Sequence, residues 1–259
     1  IECSGSIMSI AIRKPAEIES LRKANRIVAK TLNHLKANIK PGLTLKEVDK
    51  MGEDFILSQG GIPAFKGLYG FSGSVCVSVN EVIIHGIPTD YALKEGDIVG
   101  LDLGVNLNGW YGDSAITCGV GNISQENQRL IACAKDSLHF AISQIKVGMH
   151  FKELSYLIEQ FILDYGYVPL RGFCGHGIGK KPHEEPEIPN YLEGNNPKQG
   201  YKIKEGMVFC IEPMICQKRG EPKILEDDWS VVSVDGLNGS HYEHTVAIIN
   251  GKAEIVSKE

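Results

Sequence analysis

Residues 39–63 and 145–169 of this chain carry the same amino acid at eleven of twenty-five positions when aligned at an offset of 106. The identities include Ile39/Ile145, Lys40/Lys146, Gly42/Gly148, Lys46/Lys152, Glu47/Glu153, Phe55/Phe161 and Pro63/Pro169. Average composition gives roughly one or two by chance. A second echo follows at an offset of 110: LKEGDIVGLDLG (Leu93–Gly104) falls on IKEGMVFCIEPM (Ile203–Met214), and Asp102 falls on Glu212. The growth of the offset implies a short insertion between the two blocks. Each half therefore reads as helix, turn, helix, then strands ending in a carboxylate, the halves covering about 15–120 and 122–250. A duplicated unit of this kind predicts a pseudo-symmetric scaffold with one shared site.

Local signals place the elements. Apolar residues at 18, 21, 28, 32, 35 and 39 suit one face of a long helix from Pro15 to Ile39. Thr44-Leu-Lys-Glu47 is a capping-box pattern that opens a second helix running to about Gln59. Ser74 to Ile84 reads as one strand rich in valine and isoleucine, and 97–105 and 110–120 as two more. Helices over 124–145 and 151–164 follow, and the remainder is mostly strand and loop. No low-complexity linker interrupts the chain, so 10–259 reads as a single domain. Residues 1–9 read as an extraneous start, with Met8 the natural first residue; that leading stretch has neither the basic nor the apolar region of a signal peptide.

Composition narrows the function. A net charge of −5 disfavours a nucleic-acid partner, because phosphate binding calls for a basic surface. No apolar run approaches transmembrane length. The seven cysteines are scattered without a C-x-x-C pair, which predicts reduced thiols in a cytoplasmic protein rather than a zinc finger or disulfide framework.

Asp102 and Asp113 flank Asn106-Leu-Asn-Gly109, and a tight turn centred between 107 and 108 would set the two aspartates opposite each other. Facing carboxylates repel, so the pair needs a cation or a solvated surface position; taken alone, the surface reading is not beaten. His85 ends the strand of the first half, Cys174-Gly-His176-Gly-Ile-Gly179 wraps glycine around one imidazole, and His183 follows. Glu212 ends an apolar run, and Glu243 precedes another. His34, His139, His150, His241 and His244 read as structural or surface residues. The set Asp102, Asp113, His176, Glu212 and Glu243 carries four negative charges, which two divalent cations would neutralise. One imidazole among carboxylates disfavours structural zinc and fits a two-metal hydrolytic centre.

With these residues in place, the chain resembles the type I methionine aminopeptidases. The resemblance rests on SVCVSVNEVIIHGIP (Ser74–Pro88), GDIVGLDLGVNLNGWYGDSAIT (Gly96–Thr117), CGHGIGKKPHEEP (Cys174–Pro186), MVFCIEPM (Met207–Met214) and HYEHTVAI (His241–Ile248). It implies an α+β pita-bread fold, a central antiparallel sheet covered by two pairs of helices about a pseudo-two-fold axis. It implies two divalent metal ions (Co, Mn, Fe or Zn). Asp102 would hold one, His176 and Glu212 the other, and Asp113 and Glu243 both. A water between the ions would attack the first peptide bond, with Glu212 taking its proton. His85 and His183 would contact substrate and the developing tetrahedral intermediate.

The resemblance also implies a methionine side-chain pocket of Phe65, Leu68, Phe71, Cys76 and Trp229, and a monovalent cation near Asn80 and Val82. Two residues depart from the family pattern: Leu68 replaces an aromatic, and Pro182 stands where an aromatic often precedes the second histidine. The implied substrate is the N-terminal Met of nascent chains with a small second residue, cleaved close to the ribosome by a monomer; with Met8 first and Ser9 second, the enzyme would be its own substrate. Thirty residues separate Glu212 from Glu243, too few for the helical insertion of type II enzymes. A relative cleaving Xaa-Pro bonds would carry an extra N-terminal domain, and a non-catalytic binding relative would have lost metal ligands.

Overall fold

The computed structural model describes residues 10–259; the reading of residues 1–9 and of Met8 as the natural start lies outside them. Helix α1 (Pro15–Asn38) begins with proline at its first turn, where no N–H is needed. It buries Ile18, Leu21, Ala24, Val28, Leu32 and Leu35 along one stripe. Helix α2 (Leu45–Ser58) is closed by the expected box: Thr44 Oγ1 accepts from Glu47 N–H, and Glu47 accepts from Thr44 N–H.

The first-half strands are β1 (Ile62–Pro63), β2 (Cys76–Val79), β3 (Val82–Ile84), β4 (Ile98–Leu107) and β5 (Trp110–Gly119). The predicted single strand over 74–84 is two strands, because Asn80 turns the chain at φ 54 and ties its side chain to Asp97 and to Ile98 N–H. The second half contains α3 (Gln125–Gln144), α4 (Phe151–Asp164), β6 (Val168–Pro169), β7 (Cys174–Gly177), β8 (Glu184–Pro189) and β9 (Val208–Ile211). Strands β10 (Met214–Cys216), β11 (Pro222–Ile224), β12 (Val231–Ser233), β13 (Gly239–His241), β14 (Glu243–Ile249) and β15 (Lys252–Ile255) complete the chain. The main sheet runs β1-β4-β5-β14-β9-β7-β8, with β2 on β4 and β15 on β14, and its pairings are antiparallel.

The repeat reappears bond for bond. Gly42 N–H donates to Leu93 O and Leu93 N–H to Leu43 O. Their counterparts are Gly148 N–H to Ile203 O and Ile203 N–H to Met149 O. The axis passes between β5 and β14, where Ala115 pairs with Glu243 and Ser114 with His244. A two-fold there exchanges Ala115 with Glu243, hence Asp113 with His241 and Thr117 with Thr245. The hydrogen bonds obey it: Thr117 Oγ1 donates to His241 O, and Thr245 Oγ1 to Asp113 O.

Strand alternation divides inside from outside. Val99, Leu101, Leu103 and Val105 point into the core under α1 and α2. Phe209, Ile211, Val246 and Ile248 do the same under α3 and α4. The opposite, concave face of the sheet thus receives Asp102, Asp113 and Glu243.

Candidate metal centre and side-chain pocket

The hairpin that carries the two aspartates turns at Asn108-Gly109, both at positive φ, so Leu107 pairs with Trp110. This corrects the expected register. Asp102 faces Ala115 and Asp113 faces Gly104, which puts the carboxylates diagonally on one face instead of directly opposite. Asp113 is held through its backbone, its N–H donating to buried Asn25 of α1. Glu212 follows β9, its carbonyl accepting from Asn190 Nδ2 at 2.9 Å.

All five candidate ligands converge. Carboxylate oxygens of Asp102, Asp113 and Glu243 lie within 4.8 Å of one another; so do ligand atoms of His176, Cys210 and Glu243, and of Asp113, His176 and His183. Asp113 and Glu243 each therefore belong to a group with Asp102 and to a group with His176. Glu212 Oε1 is 3.5 Å, and Glu243 Oε1 3.9 Å, from His176 Nε2. Cys210, which lies in MVFCIEPM without an assigned role, is a buried thiol beside Thr245 Oγ1, and burial raises its pKa well above the usual range.

The donors fit a divalent metal. Asp102 Oδ1, Asp113 Oδ1 and Glu243 Oε1 are buried without a hydrogen-bond partner, a costly state for an acceptor unless something cationic meets it. Burial pushes the Asp102 carboxyl up to about 7 and Glu212 up to about 8, and raises Asp113 and Glu243 well above the carboxylate range. His176 Nδ1 faces Gly177 O at 3.0 Å. Burial, with His183 nearby, lowers its pKa to about 3, so the ring is neutral with Nδ1–H donated. Its Nε2 lone pair then points at carboxylates, which is repulsive without a cation between them and is the tautomer a metal ligand needs.

The sequence reads His241 as structural, yet the residue lies in the site. Its Nε2 is 3.6 Å from Glu212 Oε2, buried and without a hydrogen-bond partner. The HYEHTVAI stretch contains it without assigning it a role; extending the repeat through the two-fold does, since it takes the place symmetric to Asp113.

A cavity of about 770 Å³ opens onto these residues. His85, at φ 57, and His183, exposed at the mouth, both line it. Desolvation by the cavity walls lowers the pKa of both, that of His85 to about 4. Phe65, Phe71 and Cys76 form a buried cluster joined by Leu68 and Trp229, with Phe71 edge-on to Trp229 at 5.1 Å. Leu68 faces the cavity, whereas Pro182 is absent from its lining. The aromatic neighbour of His183 comes instead from Tyr69, stacked at 6.3 Å. Asn80 offers no orphaned group: its side chain holds Asp97 and Ile98, and its carbonyl accepts from Gly239.

A model of metallopeptidase family M24 matches residues 19–250. The chain belongs to metallopeptidase family M24. It is 64% identical to a methionine aminopeptidase of Helicobacter pylori over 97% of this chain and all of that one. Among solved structures, a methionine aminopeptidase from Thermotoga maritima matches with a TM-score of 0.94 at 37% identity, covering 97% of this chain and 100% of that one. A prolidase from Pyrococcus furiosus matches at a TM-score of 0.78 and 27% identity; this chain covers only 65% of its length. The M24 fold is this pita-bread arrangement of a curled antiparallel sheet under two helix pairs. No helix among the described residues is long and apolar enough to cross a membrane.

Proposed function

We propose that this M24 metallopeptidase is a methionine aminopeptidase, removing the N-terminal Met from nascent chains whose second residue is small. The observation that carries this reading is the adjacency of an orphaned carboxylate cluster to a buried aromatic and thiol pocket within one cavity. Residues 10–259 act as one catalytic domain of two repeated halves, about 15–120 and 122–250. Asp102, Asp113, His176, Glu212 and Glu243 would hold two divalent ions, whose four positive charges would offset the four carboxylates. When bound, the metal supplies Lewis-acid polarisation and a water acidic enough to ionise near neutral pH.

The chain's own residues do the rest. The Phe65, Leu68, Phe71, Cys76 and Trp229 pocket takes the unbranched thioether, whose sulfur packs well against ring edges. Glu212, a carboxylate once the ions offset its charge, accepts the proton of the attacking water and passes it on to the leaving amine. His85 and His183 are neutral near pH 7, so each has an N–H to donate to the oxyanion that develops on the carbonyl. The work is done in the cytoplasm, near the ribosome, by a monomer.

The test is hydrolysis of Met-Ala-Ser against Ala-Pro peptides with Mn, Fe or Co supplied. Release of Met from the first substrate alone is expected. Preference for the Ala-Pro bond, or no hydrolysis of either with every metal, would overturn the reading.

A further inference from the structure

Arg13 belongs to none of the sequence motifs, yet its side chain is only 11% exposed and lines the cavity. It sits in the short segment before α1, anchored where Arg13 N–H donates to Gly206 O at 2.7 Å. From there the guanidinium crosses to the start of β8 and pairs with Glu184, whose side chain is 17% exposed. The other Glu184 oxygen accepts from Lys180 N–H at 2.8 Å and Lys181 N–H at 3.1 Å. One carboxylate thus ties an arginine 171 positions away to the turn that leads into His183. The loop is shaped for this contact: a Cβ on Gly179 would lie 1.9 Å from the Arg13 guanidinium. Gly179 O also accepts from Tyr111 N–H, fixing the loop's other side.

We propose that Arg13 is a positioning residue for substrate turnover, holding the His183 imidazole over the metal centre through Glu184. This rests on the role proposed above for His183. The ring of His183 lies 4.5 Å from that of His176 and 6.3 Å from that of exposed Tyr69, and its backbone follows directly from the turn that Glu184 ties. A partly buried arginine–carboxylate pair with two further N–H donors supplies such restraint in direction as well as energy.

The experiment compares Arg13→Met, which keeps bulk without charge, and near-isosteric Glu184→Gln, each in the native and the His183→Ala background. Both changes should lower kcat/KM by about tenfold or more, since small misplacements of a reacting group are costly. Bound metal should be unchanged, and Arg13→Lys should restore part of the loss. In the His183→Ala background either change should cost less than about twofold, because the group they position is gone. Amide hydrogen exchange over residues 178–184 should quicken in both variants whether or not Met is the substrate. Equal losses in the two backgrounds, or unchanged exchange in the loop, would overturn the proposal. Unchanged activity with quickened exchange would overturn it too. An unmodified protein inert on Met-Ala-Ser would instead overturn the aminopeptidase reading. If Arg13→Met fails to fold, Glu184→Gln alone decides between these outcomes.

Discussion

Removing metal from this site should produce a loss of stability with a defined sign and pH window. Burial holds Asp102 at about 7 and Glu212 at about 8, and Asp113 and Glu243 well above their usual range. Where the unfolded chain has already ionised these groups, the fold keeps them protonated. The folded state then binds more protons, and stability falls as pH rises through the folded pKa values. Buried imidazoles act the other way. Burial lowers His176 to about 3 and His85 to about 4, so their contribution is full above about pH 6.5 and is lost as pH falls. The two effects oppose each other below about pH 6.5, and only the carboxyls act above it. From pH 6.5 to 8, Glu212 and Asp102 together remove about 2–3 kcal/mol, and Asp113 and Glu243 act in the same direction. A loss of about 2–3 kcal/mol is already a large share of ordinary domain stability and corresponds to about 5–10 °C in Tm at this chain length. Calorimetry of protein dialysed against a chelator, then freed of it, should show that fall between pH 6.5 and 8. Adding Mn back at pH 8 should reverse it, because the ions bind only the folded state. A metal-free Tm that stays level within a degree or two across this window would refute the argument from buried charge.

Four further outcomes follow from the same geometry. Asp113→Asn and Glu243→Gln should each reduce bound metal to one ion or fewer by elemental analysis, while raising the Tm of metal-free protein at pH 8. His183→Ala should lower turnover roughly 10²- to 10³-fold with bound metal unchanged, and near-normal turnover would remove its assigned role. Phe71→Ala empties the space beside Trp229 in a site where Phe71 is 3% exposed; denaturant melts should show a loss of about 3–5 kcal/mol, and KM for Met peptides should rise. His241→Asp adds a fifth carboxylate and should lower the metal-free Tm at pH 8, whereas His241→Gln, which adds no charge, should not.

Helix α4 runs over the residues that its periodicity marks, and α2 begins at the box that Thr44 and Glu47 spell out. Local rules decide those elements. The gathering of the carboxylates was legible because a carboxylate at the end of a buried strand is too costly to desolvate unless a cation meets it. What escaped was register and depth. The Asn108-Gly109 pair was visible in the sequence, but centring the turn one residue earlier would have brought Asp102 against Asp113. Two consecutive residues at positive φ fix the centre, and that preference outweighs the symmetry of the flanking aspartates. His241 and Arg13 escaped for another reason. Each acts on a residue far away in the chain, so no local spacing announces it.

The two-fold axis also explains why the site departs from it. Perfect symmetry would place a partner for each of Asp102, Asp113 and Glu243 across the axis, giving six carboxylates in one buried volume. Two divalent ions offset only four. The chain keeps Glu212 opposite Asp102 but sets His241 opposite Asp113 and Ala115 opposite Glu243, which holds the count at four. The surroundings diverge in the same sense. Phe65, Phe71 and Cys76 come from the first half, and His176 and His183 from β7 and the loop after it in the second, where β7 lies on β9 as β2 lies on β4. A symmetric cleft would admit a peptide in two equivalent directions. With Phe65, Phe71 and Cys76 supplied by one half and His176 and His183 by the other, the two directions are no longer equivalent. Duplication thus supplies a rigid floor of strands, and the loss of symmetry on that floor gives it a direction.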